Sequence, residues 1–539
     1  MKLRDSIPEL LDELYTCRRD EIAIVYREQR LTYGELIDNV TGLAAGFAEL
    51  EIGRGDPVAI WLPTQLDWVV VMLAAGAVGA PVIALNPRYR ASELSYILDN
   101  SRARALVYRP RFLTSDYEAI IESTCLDERG EIDRDRFPSL EHLVAASDEP
   151  DGLPSTLLDE LYRNPIDAVG QAKDRMIVFY TSGTTSFPKG ACHLQEGIIH
   201  HGYYAGVRQK IVSEDSVLLA LPISGVLGFV SLMEALCHGS KLVLQEANDP
   251  RETVELVERE QCTIFNSLDG ILGPILDNPE LAERLRGVRN SAVGIYTRNA
   301  REFVESAERF CGMKVLHTYG MSEVQALTFL DGPDASLEKR ARAGGIPTSE
   351  EVEGRIVDAE TGEVLAEGEL GEIQVRGKVV MAEYLRNPEA DSKAFTDDGW
   401  FRTEDIGHLE EDGGIAYRSR GDDALRLRGF LVSPREIEEY INNHDLIETT
   451  QIVGASMPDG DAAVAFVKVA PGSRLSESDV KAFCRDGIAN YKIPSIVEFV
   501  SEFPVTEGTN GVKIQKAILR EQAQTLIEQG KGRGEKGSS

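Results

Sequence analysis

The sequence predicts an α/β protein. A large N-terminal domain of parallel-type sheets flanked by helices holds a β-rich subdomain, and a small α+β domain follows. Three observations carry this. Apolar runs alternate with helical segments through residues 1–330, the pattern of a parallel sheet with helices on its faces. From 340 to about 421, strand-like alternation with Gly and acidic turns takes over, as in Gly371-Glu-Ile-Gln-Val-Arg-Gly377. A compact mixture of helices and strands then runs to about 529. A chain of 539 residues is also too long for one core. The expected domains are 1–421 and 422–529, with a low-complexity, disordered tail at 530–539.

The elements follow in order. Leu31-Thr-Tyr-Gly-Glu-Leu36 opens a helix. Trp68 to Leu85 is 18 residues without a charge, long enough to span a membrane. Gly76, Gly79 and Pro81 interrupt it, and Asp67 and Asn86-Pro87-Arg88 flank it. It therefore reads as a buried helix over 66–79 feeding a buried strand over 81–85, with no membrane span. Arg88 to Asn100 reads as a helix and Ala105-Leu-Val-Tyr108 as a strand. Residues 128–165, rich in charge, form a variable surface stretch. Met176-Ile-Val-Phe179, Val217-Leu-Leu-Ala-Leu221, Lys241-Leu-Val-Leu-Gln245 and Val315-Leu-His-Thr-Tyr319 read as further strands.

Composition narrows the function. Hydrophobic residues at 42% and charged residues at 27% describe an ordinary soluble chain. The net charge of −32 argues against a nucleic-acid-binding surface. Seven cysteines without a CxxC pair suit a reducing compartment and argue against disulfides or a zinc site. The N-terminus lacks a signal-peptide core, so a cytoplasmic protein is expected, as a monomer or homodimer.

The most informative stretch is Tyr180-Thr-Ser-Gly-Thr-Thr-Ser-Phe-Pro-Lys-Gly190. It places five hydroxyls, one flexible Gly and one cation after a strand, which suits a polyphosphate. It is not the common P-loop, because Pro188 precedes Lys189 and Gly190 follows it. Ser-Gly-Thr-Thr-x-x-Pro-Lys-Gly resembles the signature loop of the acyl-adenylate-forming enzymes. These include acyl-CoA synthetases, peptide-synthetase adenylation domains and firefly luciferase. The resemblance implies that Thr181, Ser182, Gly183, Thr184, Thr185 and Lys189 grip the β- and γ-phosphates of ATP.

Four more stretches resemble that family, in its order. His317-Thr-Tyr-Gly-Met-Ser-Glu323 resembles the loop that holds adenine. The resemblance places Tyr319 and Gly320 at the base, His317 near its amino group, Ser322 at the α-phosphate and Glu323 on Mg²⁺. Gly399-Trp-Phe-Arg-Thr-Glu-Asp405 resembles the ribose motif, with Asp405 accepting both hydroxyls and Glu404 in place of the usual Gly. Ser419-Arg-Gly-Asp-Asp-Ala-Leu-Arg-Leu-Arg-Gly429 resembles the domain junction. There Arg420 would contact the ribose and Asp422 would be the hinge of a swinging C-terminal domain. Arg428 and Gly429 would line the thiol's approach. In Pro504–Arg520, Val512 separates Gly511 from the lysine. Counting back from Leu519-Arg520 assigns the catalytic lysine to Lys513, with Lys516 as the alternative.

The activity implied is ATP-dependent conversion of a carboxylic acid to acyl-AMP, then transfer to coenzyme A, with Mg²⁺. A loader of a separate carrier protein and a catalytically silent nucleotide-binding homologue are the alternatives. Ser224-Gly225 stands where the family often carries a bulky Phe-His pair, which removes an aromatic gate and enlarges the acyl pocket, or alters thioester formation. Gly294 and Tyr296 fall in the usual Gly-Gly-Ala-Pro segment, facing adenine or the acid. Ser186 and Tyr491-Lys-Ile-Pro494 are also similar to crotonobetaine/carnitine–CoA ligases, which suggests a small or medium acid.

Overall fold

The computed structural model describes residues 1–146, 153–181, 188–296, 298–421, 423, 425–427, 430–432, 434–457, 460–488, 492–508 and 511–529. An eight-stranded sheet forms the first layer. Its order is Glu383–Tyr384, Lys189–Leu194, Arg175–Thr181, Val82–Ala84, Val58–Trp61, Ala105–Tyr108, His142–Ala145 and Thr156–Leu157. From Arg175–Thr181 to the last of these, the strands pair parallel. Lys189–Leu194 and Glu383–Tyr384 close the other edge antiparallel. A second sheet carries Ser216–Leu219, Lys241–Leu244, Ile22–Tyr26 and Gln29–Thr32. Ile264 bridges it to Ser267–Leu268, Asn290–Gly294 and Lys314–His317.

The uncharged stretch of membrane-spanning length resolves into the helix Leu66–Val78 and the strand Val82–Ala84. Every residue from Trp68 to Val78 is buried, in one core with strands of both sheets. A helix covered on all sides has no need of a polar face, which is why its sequence looked like a span. It stops at Gly79, whose φ of +79° suits glycine and whose N–H bonds back to Ala75. Among the described residues, no helix is long and apolar enough to cross a membrane. The helix Tyr33–Glu49 starts with a capping box, Thr32 and Glu35 each satisfying the other's main-chain N–H. The helix expected from Arg88 begins later, as Ala91–Ser101.

Residues 344–420 build an antiparallel sheet ordered Gly344–Gly345, Ile415–Arg420, Phe401–Leu409, Gly371–Gly377 and Val352–Val357. The C-terminal unit has a sheet of Ile447–Met457, Gly460–Val469 and Ile496–Phe499, covered by the helices Pro434–Asn442, Glu477–Gly487 and Lys516–Glu528. The disordered tail expected at 530–539 lies outside the described residues.

The N-terminal core contains an acid. Glu234, on the helix Val226–His238, is fully buried. Gln209 donates to one of its oxygens, and Asn266 Nδ2 donates to the other at 2.7 Å. Burial pushes its carboxyl up to about 8. Burial also pushes His193 and His201 down to about 4, and His317 down to about 3. The signs differ. A raised acid stabilises fully below its unfolded value of 4.5, and the effect is lost as pH rises through 8. The histidines contribute fully above 6.5 and lose their effect as pH falls. Between pH 6.5 and 8, therefore, Glu234 is the one of these four that titrates. Its share of stability is expected to fall by about 2 kcal/mol across that window. Denaturation at a series of pH values checks this, and Glu234→Gln should flatten the decline whatever it does to absolute stability.

Candidate active site

The C-terminal ends of the parallel strands carry the site, as is usual for open α/β sheets. Thr181 ends one strand and Lys189 begins the next, and the two are register partners. The Thr181 hydroxyl donates to the Lys189 carbonyl at 3.4 Å. Ser182, Gly183, Thr184 and Thr185 belong to the segment between them, outside the described residues. The Lys189 ammonium lies 5.1 Å from the centroid of the Tyr384 ring, a cation–π distance. The Tyr384 hydroxyl donates to Glu323 Oε1 at 3.0 Å. Glu323 is buried, and burial raises its carboxyl above the ordinary value. One tyrosine thus links the hydroxyl-rich loop to the expected metal carboxylate.

The loop that follows His317 turns back as the strands Tyr319–Met321 and Gln325–Phe329. Gly320 is required there, since a Cβ would come within 2.4 Å of the Gln325 carbonyl. Gln325 and Leu327 both take positive φ, 61° and 65°. Two non-glycine residues in that region mark stored backbone strain beside Glu323. The Tyr319 ring stacks on Tyr417 at 5.5 Å, with Phe329 tilted against it at 6.0 Å. Its hydroxyl donates to Asp405 Oδ2 at 2.7 Å. Burial and the Asp405 charge hold that phenol well above its ordinary value. His317 is buried, and its Nδ1 lies 3.1 Å from the Ala341 carbonyl. Burial, with Arg435 nearby, keeps it neutral.

Asp405 and Arg420 face each other across paired strands, with Arg420 Nη1 3.2 Å from Asp405 Oδ1. Within the strand Phe401–Leu409, next to Asp405, Glu404 adopts φ +59°. That explains why a glycine is usual at this position: the backbone is left-handed there. Tyr296 is 62% exposed on a cleft of ≈ 1780 Å³ that also meets Tyr417, Arg435 and Lys516. Gly294 lets its ring fold back, because a Cβ there would lie 2.9 Å from Tyr296 Cε2. Ser224 and Gly225 line a separate small cavity that Ser322 also lines. The structure therefore brings Thr181, Lys189, Glu323, Tyr319, Asp405 and Arg420 into one region.

Lys513 lies on the strand Gly511–Ile514, opposite Thr506; its side chain is outside the described set. That strand packs near the N-terminal domain's helix Asp269–Leu276. Lys516 starts the last helix, with Nζ 3.3 Å from Glu438 Oε1. Asp422, Arg428 and Gly429 lie outside the described residues. Three contributors escaped the sequence reading. These are Tyr384 under Lys189, Tyr417 against Tyr319, and His193, whose Nε2 lies 2.7 Å from the Ser322 carbonyl. None sits in a motif, and only proximity in space reveals them.

Two family models match the chain. One, described as AMP-binding enzyme, covers residues 12–385, and one, described as AMP-binding enzyme C-terminal domain, covers 436–508. The mitochondrial medium-chain acyl-CoA ligase ACSF2 of Rattus norvegicus is 28% identical over 538 residues, spanning 95% of this chain and 86% of the rat protein. ATP-bound MatB from Rhodopseudomonas palustris aligns with a TM-score of 0.83 at 25% identity, covering 96% of this chain and 99% of MatB. The anthranilate CoA ligase AuaEII, solved with anthranoyl-AMP, also reaches 0.83, at 22% identity over 98% of this chain and 99% of its own. At that identity the likeness speaks for the fold.

The left-handed backbone at Glu404 yields a stability test. Glu404→Gly should relieve strain and stabilise the protein by about 1 kcal/mol, net of the added chain entropy. Chemical denaturation checks this; a loss of stability would show that the Glu404 side chain has a compensating role.

Proposed function

The chain belongs to the AMP-binding enzyme family, and on that premise we propose that it joins a carboxylic acid to coenzyme A through an acyl-adenylate. The observation that supports this best is the chain of contacts from Lys189 through Tyr384 to Glu323. It sets a cation and a buried carboxylate on either side of one tyrosine, at the end of a hydroxyl-rich loop.

In the first half-reaction, a carboxylate oxygen attacks the α-phosphorus of ATP. The bond to the β-phosphate oxygen breaks and pyrophosphate leaves. Thr181 and Lys189, with Ser182, Gly183, Thr184 and Thr185, hold the β- and γ-phosphates. The Ser322 hydroxyl and the Lys513 ammonium meet the charge that develops at the α-phosphate. Asp405 and Arg420 receive the ribose, and Tyr296, open to the cleft, offers a face to adenine. In the second half-reaction, the coenzyme A thiol loses its proton to solvent, its sulfur bonds to the acyl carbon, and AMP leaves. Asp422 serves as the hinge between these states, with Arg428 and Gly429 along the thiol's approach. No protein nucleophile is required, because positioning and charge neutralisation do the work.

The donor set fits magnesium. Among the described residues no cluster of three His, Cys, Asp or Glu could hold a metal. A single carboxylate, Glu323, completed by substrate phosphates, is an ordinary magnesium arrangement. The ion would supply positive charge to the phosphates. A carrier-protein loader and a silent homologue are not favoured, given family membership and a coenzyme A ligase relative along almost the entire chain. All seven cysteines are free, as a reducing compartment would leave them.

Pyrophosphate release from ATP and Mg²⁺, measured across a panel of acids with and without coenzyme A, tests this. Release should require the acid, and coenzyme A should convert the adenylate to a thioester. An adenylate that accumulates regardless of coenzyme A would overturn the ligase reading. Lys513→Ala should slow adenylate formation by about 100-fold or more while sparing thioester synthesis from supplied acyl-AMP. If Lys516→Ala does this instead, the lysine assignment across Val512 fails.

A further inference from the structure

The helix Val226–His238 starts with Gly225 at its N-cap, so no side chain caps it. A helix leaves the N–H groups of its first turn without intrahelical partners, and they carry partial positive charge. One residue earlier stands Ser224. It is only 9% exposed, and its hydroxyl has no hydrogen-bond partner among the described residues. A buried, unpaired hydroxyl costs about 1–3 kcal/mol, so such a group usually faces something it is built to meet.

What Ser224 faces is a cavity of ≈ 30 Å³, lined also by Asn86, Tyr89, Phe179, Tyr180 and Ser322. Ser322 places it beside the point where the acid meets the α-phosphate. The floor is closed. Phe179 packs edge-on to Phe229 at 5.4 Å, and Trp68 does the same at 6.1 Å. All three rings are at most 3% exposed. A space of this size holds about two non-hydrogen atoms, and its walls are largely polar. An alkyl tail gains nothing from a pocket that is short and lined with hydroxyls.

Resting on the acid-activating reading above, we propose that this cavity reads an oxygen of the substrate. The acid is then short and carries a hydroxyl or oxo group on its second or third carbon. Ser224 donates to that oxygen, and the open first turn of Val226–His238 attracts it. The Ser-Gly pair is what makes this possible: Ser224 supplies the donor, and Gly225 leaves the helix start bare.

The test compares 3-hydroxybutyrate, 2-oxobutyrate, butyrate and octanoate by kcat/KM for pyrophosphate release. At least one oxygenated acid should exceed butyrate by roughly ten- to a hundredfold, in line with one satisfied buried polar group. Ser224→Ala should shrink that ratio about tenfold. The ratio is read within one preparation, so a partly misfolded variant does not disturb it. Butyrate or octanoate used as well as the oxygenated acids, with a ratio unmoved by Ser224→Ala, overturns the proposal and leaves the cavity to water. Thermal shift with a non-hydrolysable ATP analogue separates the two readings. Stabilisation by an oxygenated acid but not by butyrate, with no turnover of any acid, sinks the ligase reading and keeps the subsite. Equal shifts, or none, sink the subsite whatever the turnover.

Discussion

The hydrogen bond from the Tyr319 hydroxyl to Asp405 joins the two sheets at the candidate site. Tyr319 follows the last strand of the parallel layer, whereas Asp405 belongs to the antiparallel sheet, 86 residues later. A buried bond to a carboxylate contributes about 1.5–3 kcal/mol and fixes both partners. It also constrains their neighbours. Tyr417, from the strand beside Asp405, stacks on the Tyr319 ring. Arg420, on that same strand, reaches back to the carboxylate. The left-handed residue Glu404, within its strand, immediately precedes Asp405, and the strand Gln325–Phe329 beyond Tyr319 carries its own strain at Gln325 and Leu327. Strain of this kind persists only where surrounding contacts over-determine the backbone.

Electrostatics gives those contacts their purpose. The chain carries a net charge of −32, and an ATP-binding site must accept a strongly anionic ligand. Solvent and salt screen the distant surface charges over about 8–10 Å, so the local groups decide. Lys189 is held over a tyrosine ring and makes no ion pair with a carboxylate among the described residues, which leaves its charge available. Glu323 is buried, and that burial raises its carboxyl, so on the proposed function it is the group that a cation would favour most. His317 stays neutral and adds no charge of its own to the candidate site. The site is arranged around charges that the substrates complete.

The grouping of these residues was legible in the sequence, because the motifs mark side chains that the fold brings close together. The Thr181–Lys189 loop, the stretch around Tyr319 and Glu323, and the Asp405–Arg420 pair all follow that rule. Tyr384 and His193 did not show, since each acts by touching a motif residue from a distant segment, and no local pattern encodes that contact. Glu404 was visible only as an oddity. A sequence records the residue but not the sign of φ, and the structure supplies the reason. The stretch from Trp68 to Leu85 was readable as helix and strand from its glycines and proline, although its burial between two layers is a tertiary fact.

The acid pocket shows where reading by substitution falls short. Replacing a bulky pair with Ser224-Gly225 suggests a larger cavity when each position is judged alone. Volume, however, belongs to the neighbourhood. Ser224 and Gly225 line a recess of only ≈ 30 Å³, and Phe179 in its wall packs on Phe229, which in turn meets Trp68. What distinguishes the recess is chemical: it holds a hydroxyl without a partner among the described residues and a helix start without a side-chain cap. In a closed apolar setting the discrimination available from one methylene is about 1–3 kcal/mol. A buried group that must be hydrogen-bonded discriminates by a similar factor, but on the chemistry of the acid rather than its size, since the wrong acid leaves it unpaired. On the proposal above, the same substitution that reads as the loss of a gate supplies a means of selecting the acid.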